Sequence, residues 1–180
     1  MAQEAQIPAL GFLTVVEDAE HGLFGGYLVL NLIGRPLEFH CTTPVKANRA
    51  QQILYGPTLA PYLYGEQIAQ TLIRKGAVKP RAVFTDQAAV LAARQHVDVP
   101  LVLAVDDMAS QSTGDTTRRI DPPQTALKRF GWGRQPLAVD LTSAADEQLV
   151  LDRLSDVAED FDLLEPFGRI REAIAEASRN

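Results

Sequence analysis

Apolar and polar positions alternate with a strand-like period over the first quarter of the chain, then change rhythm. Residues 11–17 (GFLTVVE), 26–32 (GYLVLNL) and 37–43 (LEFHCTT) are rich in β-formers and are separated by turn residues. The link Ile33-Gly34-Arg35-Pro36 is short enough for a hairpin, so these three runs predict an antiparallel meander. His21-Gly22-Leu23-Phe24-Gly25-Gly26 reads as a glycine-rich hairpin turn between the first two.

Helical spacing follows. Asn48 is placed to cap a short helix over 49–55, which Gly56 and Pro57 stop. Thr58 is placed to cap a longer one over 59–75, with Gly76 as its stop signal. Residues 82–85, 86–96 and 101–105 read as strand, helix and strand. Both strands are continuously apolar, which predicts a parallel crossover unit buried on both faces.

Residues 106–136 lack periodicity and predict a long loop. Residues 137–141 (LAVDL) predict another strand. Ser143 and Asp146 predict a capping box for a helix running to about residue 158. Pro166 is placed to open a last amphipathic helix with Phe167, Ile170 and Ile174 on its apolar stripe.

The fold expected is mixed α/β. A single sheet combines the N-terminal antiparallel three-stranded meander with the parallel β-α-β unit, helices pack on it, and an acidic helical segment follows. Residues 8–141 form the expected core domain, with the long loop at 106–136. Residues 142–180 supply acidic helices packed on the same domain.

Composition adds limits. The chain has 180 residues, 46% hydrophobic and 22% charged, an ordinary globular balance. Cys41 is the single cysteine, so no internal disulfide and no multi-cysteine metal site can form. No apolar run approaches the roughly 20 residues of a membrane span, and residues 1–10 lack the pattern of a signal peptide. A cytoplasmic protein without a membrane partner is expected. The net charge of −6 is segregated: residues 142–180 carry ten acids and four bases, and the remainder is balanced. Such a tail argues against a nucleic-acid or anionic-membrane surface there.

Chemistry has few places to reside. Asp86 follows one predicted parallel strand, and Asp106 and Asp107 follow the other, so all three carboxylates belong at one edge of the sheet. Open α/β sheets bind ligands in the crevice beyond that edge. Oxygen ligands suit Mg²⁺, which can polarise a phosphoryl group or activate water. The plainer reading makes Asp86 a helix cap and the other two turn residues. His40 and Cys41 are adjacent on a strand and therefore point to opposite faces. Cys41 is expected in the core, and His40 in an exposed pair with Glu38.

The segment Lys128, Arg129, Phe130, Trp132 and Arg134, with Arg118 and Arg119 before it, mixes cations with aromatics as single-strand-binding grooves do. The competing reading has Trp132 anchoring the loop on the core.

With no full catalytic set, the leading expectation is a non-enzymatic intracellular accessory or adaptor protein, partnered by another protein and needing no cofactor. One alternative is a metal-dependent phosphoryl-transfer or hydrolytic enzyme using Asp86, Asp106 and Asp107 with Mg²⁺. The other is a nucleic-acid-binding module using the basic-aromatic loop.

Overall fold

A computed structural model of the chain describes residues 7–106 and 126–179. Seven strands form one mixed sheet in the order β3-β2-β1-β4-β5-β7-β6. The meander is β1 (Ala9–Asp18), β2 (Gly22–Asn31) and β3 (Pro36–Cys41), antiparallel throughout. Strand β4 (Val83–Thr85) runs parallel to β1, and β5 (Leu101–Ala104) runs parallel to β4, with Phe84 opposite Val102. The crossover between them is a 3-10 helix, Ala88–His96. The sheet closes with the antiparallel hairpin of β6 (Leu127–Trp132) and β7 (Gln135–Asp140).

Two expectations about loops are corrected. Residues 127–132 are strand β6, so the end of the expected 106–136 loop belongs to the sheet. Gly133, at φ +57°, lets the chain reverse in two residues between Trp132 and Gln135. Residues 22–26 are also strand, and the turn lies before them. Gly25 and Gly26 are required by packing: a Cβ on Gly25 would collide with Ile68, and one on Gly26 with Ile170. Helices therefore press on the β2 backbone from both faces.

Alternation along the strands divides the core. Leu10, Phe12, Leu28, Leu30, Phe84 and Val102 face one layer, which includes α3 (Asp146–Arg153) and α4 (Glu165–Ala177). Phe167, Ile170 and Ile174 of α4 are buried against this face. Leu13, Val15, Tyr27, Val29, Val83 and Leu101 face the other layer. Its cover is the π-helical segment Pro61–Ala69, which runs into α2 (Gln70–Lys75), together with the crossover. The short helix α1 (Arg49–Tyr55) begins at Asn48 with the expected cap, completed by Gln51 as a capping box. Thr58 caps nothing, because its hydroxyl donates to the Tyr55 carbonyl.

Ser143 likewise makes no capping box. Helix α3 starts without a side-chain cap, and Asp146 is 6% exposed. Arg94 of the crossover grips it bidentately, Nε to Oδ2 at 2.6 Å and Nη2 to Oδ1 at 3.1 Å. This pair joins the cover of one sheet face to the cover of the other.

Tyr27 is fully buried, and its hydroxyl is the one buried side-chain polar atom without a hydrogen-bond partner among the described residues. Burial, reinforced by the negative charge of Glu38, pushes its phenol far up. Removing an unsatisfied hydroxyl removes its desolvation cost. Tyr27→Phe is therefore expected to leave stability unchanged or raise it by about 1 kcal/mol, read as the midpoint of urea unfolding. A drop would show that the hydroxyl has a partner.

Candidate functional site

Strands β4 and β5 are parallel neighbours, and β1 lies beside β4, so their carboxyl ends share one edge of the sheet. Strand β4 ends at Thr85, but the chain keeps hold of β1. The Gln87 amide donates to the Val15 carbonyl and accepts from the Val15 N–H, both at 2.8 Å. These bonds continue the β1 ladder by side chain and fix Asp86 between two anchored residues. Thr14, a fully buried residue of β1, donates its hydroxyl to Asp86 Oδ1 at 2.7 Å. Arg171, on α4, donates through Nη2 to Asp86 Oδ2, and to Thr14 Oγ1 at 3.4 Å.

These groups border an open cleft of about 510 Å³. Among the described residues its charged lining is Asp86, Asp106, Arg129 and Arg171, and its apolar lining is Leu103, Ala104, Val105, Leu164 and Phe167. An adjoining hollow of about 370 Å³ shares Ala104, Val105 and Leu164. Arg134, Gln135, Glu159, Asp160 and Asp162 border it on the far side. Gln135 fastens that side by donating to the Phe161 carbonyl and accepting from the Leu163 N–H.

The structure thus brings Asp86 and Asp106 to one cleft, while Asp107 lies outside the described residues. Asp86 is not the helix cap of the plainer reading. Gln87 holds the cap position of the crossover and makes no capping bond, and Asp86 is turned to Thr14 and Arg171 instead. Among the described residues the donor set does not fit a resident Mg²⁺. Among the described residues no three His, Cys, Asp or Glu side chains gather as a metal site. Each Asp86 oxygen already accepts a hydrogen bond, and a divalent ion on that carboxylate would sit beside the Arg171 guanidinium, a like charge.

The basic-aromatic segment is dispersed. Arg118 and Arg119 lie outside the described residues. Trp132 is 6% exposed within the core, so its ring cannot stack on a base. Phe130 is partly buried against the same core, and Lys128 pairs with Glu147 at 2.6 Å. Arg129 reaches the cleft and Arg134 the adjoining hollow. Sequence reasoning missed Thr14 and Arg171. Arg171 lies 157 residues from Thr14, and no local pattern announces the pair.

Cys41 is exposed rather than buried, because β3 is the sheet's edge strand and Cys41 ends it. His40 does pair with Glu38, at 2.5 Å, but the pair is largely buried rather than exposed. Burial would raise the Glu38 carboxyl. The Ala77 and Val78 amides and His40 outweigh burial and hold it below the usual carboxylate range.

The fold and cleft define a mixed α/β protein with an arginine-bearing crevice at the carboxyl edge of its parallel strands. No family model matches the chain, and no curated protein does. Among solved structures it is similar to human ENDOV, at 14% identity and TM-score 0.43, over 97% of this chain and 87% of that one. It is also similar to the catalytic domain of human Endonuclease V, at 13% identity and TM-score 0.44, over 96% and 85%. A third is Ciona intestinalis Endonuclease V in complex with a 23mer DNA containing an inosine followed by a ribo-adenosine. It is 10% identical at TM-score 0.39, over 82% and 78%.

The expectation of a non-enzymatic adaptor with a protein partner is corrected here. Beside the lack of a full catalytic set, its motive was the charge-segregated tail with its apolar stripe, and Phe167, Ile170 and Ile174 spend that stripe on the protein's own core. No helix among the described residues is long and apolar enough to cross a membrane.

Proposed function

We propose that the protein acts on nucleic acid, seating a backbone phosphodiester in the cleft at the ends of β4 and β5 and promoting its hydrolysis. One observation carries this reading: two guanidinium groups, Arg129 and Arg171, and two carboxylates, Asp86 and Asp106, converge on a single crevice beyond parallel strand ends. Guanidinium forks match phosphate oxygens and stabilise the charge that grows on a phosphoryl group in transfer. Asp106 is the carboxylate assigned to take a proton from the attacking water. Glu159, Asp160 and Asp162 border the adjoining hollow and repel a backbone, so the strand leaves the cleft on the Arg129 side. The lone exposed thiol of Cys41 suits a reducing, cytoplasmic setting.

Fluorescence anisotropy with labelled single-stranded and duplex oligonucleotides tests binding. Arg171→Ala and Arg129→Ala should each weaken affinity about tenfold, the worth of one charge-assisted contact, and each should flatten the salt dependence. Gel analysis of the same oligonucleotides tests cleavage, which Asp106→Asn should abolish while binding persists. Full affinity in both arginine variants would remove the cleft from the reading.

A further inference from the structure

We infer that this cleft takes its phosphate without a resident divalent cation. The Arg171 guanidinium, set in place by Asp86 and Thr14, stands where such an ion would serve. The inference rests on the reading above only in taking a phosphodiester as the ligand.

The network of contacts begins on β1. Thr14 is fully buried in the middle of the sheet, and its hydroxyl has one task on each side. It donates to Asp86 Oδ1 and accepts from Arg171 Nη2. Asp86 is held from behind by the Gln87 bonds to β1, and its second oxygen accepts from Arg171. Threonine, aspartate and arginine thus form a closed triangle with its cationic corner at the cleft. The side chain of Asp86 is 19% exposed and that of Arg171 47%. The hydrogen bonds of Arg171 to Asp86 and Thr14 run through Nη2, and the other N–H groups of the fork are the ones assigned to an anion. A carboxylate that orients a guanidinium fixes the direction of its fork, which matters because two parallel N–H bonds to phosphate tolerate little rotation. Asp86 and Thr14 are therefore positioning residues for Arg171 rather than ligands of a metal.

The experiment measures binding of a labelled single-stranded oligonucleotide to the full chain, in excess EDTA and in millimolar Mg²⁺. The two affinities should agree within about twofold, since counterion release rather than a bridging ion sets them. Asp86→Asn and the near-isosteric Thr14→Val should each weaken binding about fivefold. In an Arg171→Ala background neither should have any further effect, because both act through that side chain. Arg171→Lys should not recover the loss, since a point charge lacks the fork. Calorimetry with Mn²⁺ should show no binding to the wild type.

Binding lost in EDTA would overturn the inference, as would Mn²⁺ binding that Asp86→Asn removes, and either would leave the nucleic-acid reading standing. Additive effects of Asp86→Asn and Arg171→Ala would also overturn it. No oligonucleotide binding under any condition would instead defeat the reading beneath it. The chelator comparison needs no variant, so it decides the matter even if a substitution unfolds the chain.

Discussion

Phe12→Ala is expected to lower stability by about 3–5 kcal/mol, the range for emptying a buried aromatic position. Phe12 is fully buried on the interior strand β1. Its ring stacks on Phe84 at 5.5 Å and on Phe161 at 6.2 Å, and meets Phe167 edge-on at 5.9 Å. The four rings come from β1, β4, the segment before α4, and α4 itself. Alanine would leave a void that cannot collapse without moving all three partners. Leucine should cost less, about 1.5 kcal/mol, because most of the volume is kept. Urea unfolding followed by circular dichroism gives both values. Phe167 lies in the first turn of the helix that carries Arg171, so Phe12→Ala should also weaken any ligand bound in the cleft. A loss under 1 kcal/mol would mean that these rings do not form one packed unit.

The second large effect belongs to Asp146. Asp146→Ala should cost about 3 kcal/mol, since removing one member of a buried ion pair strands the other charge. Arg94 is 25% exposed and can partly recover water, which places the loss toward the lower end of the range for such pairs. Its Nη1 also donates to the Val97 carbonyl, so the side chain stays tethered near the empty site. Replacing both partners together, Arg94→Met with Asp146→Leu, should restore much of the loss. That comparison in a double-mutant cycle separates the stranded charge from lost packing. Equal damage in single and double variants would show that shape, not charge, governs the site.

Much of the architecture was legible because it depends on near neighbours in sequence. The meander follows from alternation and one short turn, and the parallel crossover from two apolar runs flanking a helix. Strand β6 was not legible. Lys128, Arg129 and Gly131 break its apolar pattern on both faces, and its pairing comes from β7. The available signal was Gly133 as the first of two central turn residues, which suits a tight hairpin. Gly25 and Gly26 read as a turn because glycine serves both flexibility and close approach, and only the helices pressing on them distinguish the two. Cys41 read as core and is exposed, while His40 and Glu38 on the opposite side are largely buried, because alternation shows which residues share a side and not which side a neighbour covers.

The candidate site divides the same way. Asp86 and Asp106 are placed by the strands they follow, so their meeting was foreseeable. Their chemical state was not, because it depends on Arg171, which comes from a helix at the far end of the sequence. An unpaired aspartate pair suggests a metal; the same pair with a guanidinium on one carboxylate suggests an anion site.

One consequence follows from the way α4 covers β1 and β2. All seven strands emerge from the ribosome before the residues that cover this side of the sheet. The nascent protein therefore passes through an interval in which Phe12, Leu28 and Phe84 lie bare to water, a surface that chaperones recognise and that clumps when crowded. Arg171 arrives with the same helix, so maturation of the crevice and shielding of the sheet are one late event.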